Sequence, residues 1–296
     1  MNTNESTFVD GGAPLVVNLA TTGMVPTRES SPYVPLQPDE IVSCVLKAAN
    51  TGISMVHLHA RDENGRPTYI RDVYARIIYG IREHRPDIVI GVSCSGRDFR
   101  DIEQRADVLN LKGDVKPDMA SLTLSSMNFA RQASVNEPEM IQCLLDRMLE
   151  NEIVPEFEIF DLGMVNYATY LIRKNDIQAP IYANIILGNV ATAQADLLSI
   201  AALTAALPAE TIWGLGGVGS SQIEVTAIAA ALAPAVRVGL EDNLWMDRKR
   251  TRLASNQDMV ERVHALVALA DRSVMHPTEL RAKLKMVKAG QFDRSC

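Results

Sequence analysis

The chain has 296 residues, of which 47% are hydrophobic and 22% are charged, and its formal net charge is −7. This hydrophobic fraction is typical of a globular protein with a full core, and the acidic balance argues against nucleic-acid binders and gives no attraction to anionic membranes. No apolar run approaches the roughly 20 residues that span a bilayer. Residues 1–12 are polar and unlike a signal peptide. The four cysteines are far apart, so we expect reduced thiols and a cytoplasmic protein.

Short apolar runs alternate with longer amphipathic runs, which predicts strands and helices in turn. The predicted strands cover 15–20, 54–59, 88–93, 119–123, 156–160, 181–187, 211–215 and 236–240. In chain order, the helices that follow these strands cover 38–50, 72–84, 138–151, 164–174, 192–206, 222–232 and 256–270, and the third strand is followed by a loop with one short helix over 97–115.

Eight strand–helix units in succession predict an α/β protein with a (β/α)8 TIM barrel. Strands joined through helices must pair in parallel, and eight such units close into a barrel. A doubly wound open sheet is the alternative. No linker divides the chain, so we expect one catalytic domain over 1–296, with an extended or poorly ordered tail at 1–12 and a helical extension at 273–296.

The second predicted strand ends in two histidines, His57 and His59. Residues two apart on a strand point to the same side. Functional groups of a parallel barrel lie at the carboxyl ends of its strands. The pair therefore indicates half of a metal site, although two histidines satisfied by ordinary hydrogen bonds would show the same spacing.

The eighth predicted strand carries Arg237, Glu241 and Asp242 at its end. Charges at a barrel mouth cost solvation unless they are paired or bind a cation. Glu241 could complete a metal site of two histidines and one carboxylate, and Asp242, held by Arg237, could act as a base. The alternative is an arginine–aspartate pair that only closes the barrel.

Glu156 and Glu158 share one face of the fifth predicted strand. Acids are rarely placed in a barrel interior for packing. We interpret Glu158 as a candidate for the acid–base machinery or for the outer shell of the metal.

Two further groups of small or hydroxyl residues follow predicted strands. Glycine-rich turns before a helix can bind anions, although most are only turns. Hydroxyls at strand ends could hold a substrate carboxylate, and a local turn bond is their alternative role. The candidates are Gly216, Gly217, Gly219 and Ser220 for a cofactor, and Ser93, Ser121 and Thr123 for a substrate.

Six stretches, which lie between about residues 15 and 284, resemble the beta-keto acid cleavage enzyme family, whose prototype acts on 3-keto-5-aminohexanoate. They are TTGMVPTRESSPYVPLQPDE, VHLHARDENGRP, VKPDMASLTLSSMNF, PEFEIFDLGMV, VRVGLEDN and ASNQDMVERV. The resemblance implies a zinc-dependent (β/α)8 barrel with one Zn²⁺ per subunit, usually a homotetramer. It also implies a transferase that condenses a beta-keto acid with its co-substrate acetyl-CoA and releases acetoacetate and a new acyl-CoA.

The resemblance also implies roles for individual residues. His57, His59 and Glu241 match the zinc ligands, Asp242 and Arg237 match a catalytic dyad, and Glu158 matches a further acid of the active site. Ser93, Gly96 and Ser121 match positions that hold the carboxylate of the keto acid, with serine here in place of a threonine of the prototype.

Three positions depart from the prototype. Val25 stands where the prototype has a glutamate that binds the amino group of its substrate, so we expect a keto acid with an uncharged or differently charged side chain, unless Glu29 compensates. Residues 188–191 replace a glycine- and proline-rich turn, and Ser220 replaces a basic residue. The last two changes lie where we expect CoA to bind.

Two other functions stay open at this stage. A metal-dependent aldolase or hydrolase could use the same histidines and acids on the same barrel, and acyl transfer to CoA would separate it from the first function. A barrel that binds a metabolite without catalysis would keep its properties when Asp242 is replaced.

Overall fold

The computed structural model describes residues 12–286. Over this range the strands are β1 (Val16–Ala20), β2 (Met55–Leu58), β3 (Ala60–Arg61), β4 (Pro67–Thr68), β5 (Val89–Val92), β6 (Met119–Thr123), β7 (Met127–Asn128), β8 (Ala133–Ser134), β9 (Val154–Ile159), β10 (Ile181–Leu187), β11 (Thr211–Gly217) and β12 (Ala235–Val238). The α-helices are α1 (Pro38–Thr51), α2 (Arg71–His84), α3 (Ile102–Arg105), α4 (Pro138–Glu150), α5 (Leu162–Lys174), α6 (Leu197–Ala206), α7 (Ser221–Leu232), α8 (Asn256–Leu269) and α9 (Pro277–Lys283).

Eight of these strands form a closed parallel barrel in the order β1-β12-β11-β10-β9-β6-β5-β2. The barrel closes on both sides of β1, where Asn18 pairs with Met55 of β2 and Val16 pairs with Ala235 of β12. The helices surround it. The predicted (β/α)8 barrel is therefore confirmed, and the open-sheet alternative is wrong.

The first helix shows how local sequence sets the element ends. Pro38 occupies the first turn of α1, where its missing amide hydrogen costs nothing. The Glu40 carboxylate accepts hydrogen bonds from the main-chain nitrogens of Leu36 and Gln37 at 2.9 and 3.1 Å. The helix ends before Gly52, whose φ of 122° is a conformation that other residues rarely adopt. These contacts set the two ends of α1.

The fold differs from the sequence-based expectation at several element ends and in two small sheets. Helix α6 begins five residues later than expected, because the Asp196 carboxylate caps it by accepting a hydrogen bond from the Ser199 nitrogen. Strand β11 continues two residues further, through Gly216 and Gly217, which pair with the end of β10. The antiparallel pairs β3–β4 and β7–β8 were not expected, since two-residue strands show no periodicity.

The barrel is closed at the amino-terminal ends of its strands by α9 and the segment before it. Leu280 and Leu284 are buried there against Met55, Val89 and Met119. Arg281 fixes the helix through two 2.7 Å bonds to the carboxylate of Asp118. The predicted C-terminal helix is thus present and packs on its own barrel.

Parts of two expected terminal segments lie outside the described residues. These are residues 1–11 of the expected tail and residues 287–296 of the helical extension. Among the described residues, no helix combines the length and apolar character needed to cross a membrane. Cys44, Cys94 and Cys143 are free thiols.

Candidate metal centre and active site

The carboxyl end of β2 brings His57 and His59 together with Glu241, which follows β12. One potential ligand atom from each residue lies within 4.8 Å of the other two. The His59 Nε2 atom is 3.2 Å from Glu241 Oε1, and the two imidazole rings lie 5.2 Å apart between centroids. Both histidines are buried, so a cation held there would be shielded from bulk water. The structure therefore assembles the three residues that the sequence suggested as metal ligands.

The donors of this cluster fit a metal ion. The Oε2 atom of Glu241 is buried and has no hydrogen-bond partner among residues 12–286. A buried carboxylate oxygen without a partner is costly, and a cation would satisfy it. Two imidazoles and one carboxylate form a donor set that suits zinc and leaves a coordination position open for substrate. The metal site thus rests on an orphaned oxygen as well as on the spacing of the histidines.

Glu156 supports His57 from behind. Its Oε2 atom lies 2.9 Å from the Nδ1 atom of His57, and both side chains are almost completely buried. Its Oε1 atom accepts hydrogen bonds from the side-chain amides of Asn18, at 2.8 Å, and Asn184, at 2.5 Å. A carboxylate in this position orients the imidazole and would leave Nε2 available to a metal ion. Gly91 leaves the necessary room, because a Cβ atom there would lie 3.0 Å from Glu156 Oε2.

Sequence reasoning placed Glu156 on the inward face but gave the supporting role to Glu158. In the structure Glu156 holds the histidine, and Glu158 lies one layer nearer the mouth. Glu158 Oε2 accepts a 2.6 Å hydrogen bond from Thr123, and its Oε1 atom lies 3.5 Å from Arg237. The sequence did not indicate how far along the barrel axis each carboxylate lies, and two residues along a strand advance the side chain by about 6.6 Å.

Arg237 contacts the acidic residues at the mouth of the barrel. Its side chain is 2% exposed, and its Nε atom donates to Asp242 Oδ2 at 2.9 Å while Nη2 donates to Glu241 Oε1 at 2.6 Å. One guanidinium therefore holds a candidate metal ligand and the candidate base side by side. The expected arginine–aspartate contact is present, but its link to Glu241 makes it part of the metal site.

Burial and the Arg237 charge act differently on the two neighbouring acids. Burial raises the pKa of Asp242, and the adjacent Glu241 carboxylate adds to the rise, which Arg237 only partly offsets. Burial also acts to raise the pKa of Glu241, but Arg237, His59 and His57 together hold it well below its usual range. Glu241 is therefore the anionic one of the two acids, whereas Asp242 is the acid more ready to accept a proton.

The two imidazoles also differ. Burial acts to lower the pKa of His57, but the Glu156 and Glu241 carboxylates raise it to about 9. Burial lowers the pKa of His59, and the opposing effect of Glu241 is smaller. The field of the two glutamates at His57 thus favours a positive charge at this point of the barrel.

The proposed carboxylate-binding residues line the same end of β5 and β6. Ser93 and Ser121 are buried, and Ser121 Oγ accepts a 3.1 Å hydrogen bond from the Cys94 nitrogen. Gly96 packs so closely that a Cβ atom would lie 2.3 Å from the Val135 carbonyl oxygen. Ser93 and His59 border one small cavity. The structure therefore places Ser93 near His59 of the cluster, and Ser121 supports the loop that follows Ser93.

The loop after β1 forms another side of the mouth. Arg61 fixes this loop by donating to the carbonyl oxygens of Gly23 and Pro26, at 2.5 and 3.1 Å from Nη2. Gly23 lies against Glu241, since a Cβ atom added at Gly23 would be 2.6 Å from Glu241 Cγ. Val25 is 56% exposed and has no charge to offer a substrate.

The glycine-rich segment after Leu215 serves mainly the packing of the barrel. Gly216 and Gly217 belong to β11, where side chains would collide with Arg237 and with the first turn of α7. Gly219 has a φ of 62°, and its nitrogen donates to the Asp242 carbonyl oxygen at 2.7 Å. Ser220 is exposed and directly precedes α7. The segment thus borders the mouth next to Asp242.

The sequence is similar to a known family and to enzymes of known activity. The family model described as beta-keto acid cleavage enzyme matches residues 14–286. A 3-keto-5-aminohexanoate cleavage enzyme of Fusobacterium nucleatum subsp. nucleatum is 32% identical over 276 residues, which are 93% of this chain and 98% of the relative. A 3-oxoadipate:acetyl-CoA acetyltransferase of Cupriavidus necator is 32% identical over 274 residues, 92% of this chain and 94% of the relative.

A solved structure shows the same fold at lower sequence similarity. The binary complex of ObcA with oxaloacetate superposes with a TM-score of 0.77 at 20% identity, covering 86% of this chain and 68% of that chain. At this identity the likeness bears on the architecture alone.

Proposed function

The chain belongs to the beta-keto acid cleavage enzyme family, and on that premise we propose that it is a zinc-dependent acyltransferase that condenses a beta-keto acid with acetyl-CoA and releases acetoacetate and a new acyl-CoA. The observation that carries this proposal is the cluster of His57, His59 and Glu241 with its orphaned carboxylate oxygen, next to the Arg237–Asp242 pair. When bound, a zinc ion would supply Lewis acidity at the ketone oxygen of the substrate.

Asp242 is the base that we assign to the reaction. Carbon 2 of a beta-keto acid carries an acidic proton because it adjoins the ketone, and Asp242 would take this proton while Arg237 holds its carboxylate in place. The raised pKa of Asp242, caused first by burial, lets it keep the proton through the cycle. Glu158, joined to Thr123 and close to Arg237, would keep the guanidinium in position.

The bonds and charges of the cycle balance without a further reactant. The carbanion at carbon 2 attacks the thioester carbonyl of acetyl-CoA, and the CoA thiolate leaves. The thiolate then adds to the original ketone carbon, and the bond between carbons 2 and 3 breaks. This step releases the new acyl-CoA, and the acetoacetate carbanion takes the proton back from Asp242.

The substrate contacts are proposed from position. Ser93, Ser121 and the main chain at Gly96 would bind the carboxylate at carbon 1, because Ser93 borders a cavity with His59 and Ser121 lies on the neighbouring strand. Thr123 would border the same subsite through its contact with Glu158. Val25, exposed at the mouth, would face the far end of the keto acid and favours a substrate without an amino group there.

The proposal also includes a binding place for acetyl-CoA and an expected assembly of the protein. Acetyl-CoA would approach along Gly216, Gly217, Gly219 and Ser220, which border Asp242 at the start of α7. Relatives named as acetyl-CoA transferases support this co-substrate. A cytoplasmic location and a homotetrameric assembly stay predictions that follow from the family resemblance.

The test follows the acetyl group. Zinc-loaded protein is mixed with acetyl-CoA labelled with ¹³C in both acetyl carbons and with a panel of beta-keto acids whose side chains are apolar, anionic or cationic. The proposal expects the label in carbons 3 and 4 of acetoacetate and an unlabelled new acyl-CoA. Cleavage without acetyl-CoA, or products without label, would instead support the aldolase or hydrolase alternative.

A matched pair of variants ties the reaction to the site. Asp242→Asn is expected to lower kcat by roughly 10²- to 10⁴-fold, the usual contribution of a positioned base. Asp146→Asn, the same change on the exposed side of α4, should retain full activity. Equal activity in the two variants would remove Asp242 from the mechanism.

A further inference from the structure

Arg97 stands at the mouth of the barrel, directly after the proposed carboxylate-binding Gly96. Its guanidinium carbon lies 3.8 Å from the centroid of the Phe129 ring, a cation–π stack. Within residues 12–286, this guanidinium forms neither a hydrogen bond nor an ion pair, and only the main-chain nitrogen of Arg97 is bonded, to Ser95 Oγ at 3.3 Å. The side chain is half-buried. Such a cation is held in place but keeps its donors free.

Other arginines around the mouth are held by protein acceptors, although the buried Nη1 atom of Arg237 has no hydrogen-bond partner among residues 12–286 and lies 3.5 Å from Glu158. Arg61 donates to three main-chain carbonyls of the adjacent loops. Arg105 donates to the Cys94 carbonyl and the Asn136 side chain at 2.9 and 2.7 Å. Arg237 holds the two acids that follow β12. These side chains serve the protein itself, whereas Arg97 has donors to offer a ligand.

The stack under Arg97 is fixed by the surrounding structure. Phe129 lies in the β7–β8 hairpin and meets Phe160 edge-on with 6.1 Å between ring centroids. The hairpin is tied to the Arg97 loop by the bond from the Val135 nitrogen to the Gly96 carbonyl oxygen at 3.3 Å. A side chain that is stacked on a fixed ring loses little freedom when a ligand binds.

Arg97 also lies within the electric field of the active site. Burial lowers its pKa, while Glu241, Asp98, Glu158 and Asp242 act in the opposite direction. Asp98, its neighbour in sequence, is instead bonded to Gln132 at 3.1 Å. The guanidinium therefore lies within electrostatic reach of the active-site carboxylates, but it forms an ion pair with none of them among residues 12–286.

The mouth of the barrel thus offers a positive charge that no acid of residues 12–286 pairs with. Val25 offers no carboxylate there, and Arg97 offers an available cation. We propose that Arg97 is a specificity-determining residue and that its guanidinium binds a second carboxylate, at the end of the keto acid remote from carbon 1, so that the substrate is a beta-keto dicarboxylate. This inference rests on the proposed function for the identity of the reacting keto acid.

The decisive measurement compares two ligands that differ only at the remote end. Titration calorimetry of zinc-loaded protein, without acetyl-CoA, measures binding of 3-oxohexanedioate and of 3-oxohexanoate. Wild-type protein should bind the dicarboxylate roughly 10- to 100-fold more tightly, the range expected for a charge-assisted hydrogen bond. Arg97→Met, which keeps length and stacking but not charge, should abolish most of that ratio, and Arg97→Lys should retain part of it.

Control variants and kinetics exclude other roles for Arg97. Arg131→Met removes an exposed charge from the turn of the same hairpin and should leave the ratio unchanged. Arg97→Glu should reverse the preference toward the cationic 5-amino-3-oxohexanoate. Equal affinity of the wild type for both acids overturns the proposal, as does an equal loss for both in Arg97→Met, which would assign the residue to carbon 1. A rise in KM for acetyl-CoA alone would also overturn it.

The two proposals fail in different ways. If the dicarboxylate preference is absent while labelled acetoacetate is still formed, the assignment of Arg97 is wrong and the reaction stands. If no keto acid yields acetoacetate, the reaction is wrong, and the binding ratio still decides whether Arg97 recognises an anionic end.

Discussion

The pairing of His57 with Glu156 is the deepest polar contact of the candidate metal site. Both residues are buried in the barrel, and the glutamate is held by two asparagine amides on its other oxygen. A charge in such a place is tolerated only when every lone pair has a partner. This arrangement therefore orients the imidazole of His57. A metal site needs such a fixed orientation more than the stability of the fold does.

We expect Glu156→Gln to weaken zinc binding by about 10- to 100-fold, the usual effect of losing a group that orients a metal-binding histidine. The affinity is measured by competition with a chromophoric chelator. Glu158→Gln is the matched control, because Glu158 contacts Thr123 and Arg237 rather than a histidine. An equal loss in both variants would mean that general negative charge, and not the bond to His57, governs affinity.

Gly239 shows a residue-scale constraint from the backbone. Its φ is 147°, and a Cβ atom there would lie 1.9 Å from the Ala20 carbonyl oxygen in the neighbouring strand. Gly239→Ala is expected to cost about 4 kcal/mol or more, measured by denaturant unfolding. Gly113→Ala is the control, since its φ is 59° but no atom lies within 4 Å of the added carbon. It should cost about 1–2 kcal/mol, and a comparable loss in both would deny the role of the close approach.

At the scale of single residues, the sequence predicted which residues belong to the candidate site better than it predicted how deep in the barrel each side chain lies. The alternation of β9 placed Glu156 and Glu158 on one face, but it could not say which of them meets His57. Arg97 carried no signal of its own, because its free guanidinium becomes evident only when the partners of the surrounding arginines are known. Contacts between residues far apart in sequence decide both cases.

At the scale of elements, order and type could be predicted while several ends could not. The strand–helix alternation foretold the order of the eight barrel strands because period-2 and period-3.6 patterns are long enough to recognise there. The start of α6 depended on one capping aspartate, Asp196, and β11 was extended by pairing with β10. Element ends depend on capping contacts and on strand pairing, and the local sequence alone does not determine them.

Helix α9 provides an element-scale test of the fold. Leu280 is completely buried against the lower ends of the barrel strands. Leu280→Ala is expected to destabilise the protein by about 2–5 kcal/mol, because it removes buried methyl groups and leaves a cavity. Zinc affinity should not change, since the metal cluster lies at the opposite end of the strands. Both quantities are measured on the same preparation, by denaturant unfolding and by chelator competition.

Leu269→Ala is the control for this helix experiment. Its side chain is 85% exposed at the end of α8, so the expected change is within about 0.5 kcal/mol. If Leu280→Ala were as mild as this control, α9 would not contribute to the stability of the barrel, and its docking would have to be regarded as peripheral.

At the scale of the whole molecule, the two ends of the barrel divide stability and function. The amino-terminal end is filled by apolar side chains and α9, while the carboxyl end gathers buried acids, histidines and arginines. This division is expected of parallel barrels, whose loops at the carboxyl ends carry the chemistry.

A bound metal should therefore stabilise the whole chain. The candidate ligands join β2 to the segment after β12, two parts of the chain 182 residues apart. With free zinc at 100 times its Kd, binding to the folded state adds about 2.7 kcal/mol, which corresponds to a Tm increase of roughly 4 °C for a chain of this size, at about 2.1 cal/mol/K of unfolding entropy per residue. We expect this increase in differential scanning fluorimetry, and we expect EDTA to reverse it.

Two histidine variants determine whether the increase comes from this site. His59→Ala removes a candidate ligand and should abolish the Tm response to zinc. His84→Ala removes an exposed imidazole at the end of α2 and should keep the full response. If zinc raises the Tm of both variants equally, the stabilising ion binds elsewhere on the protein. If zinc leaves the Tm of the wild type unchanged, another cation must satisfy the orphaned oxygen of Glu241. Manganese and iron are then titrated in the same assay.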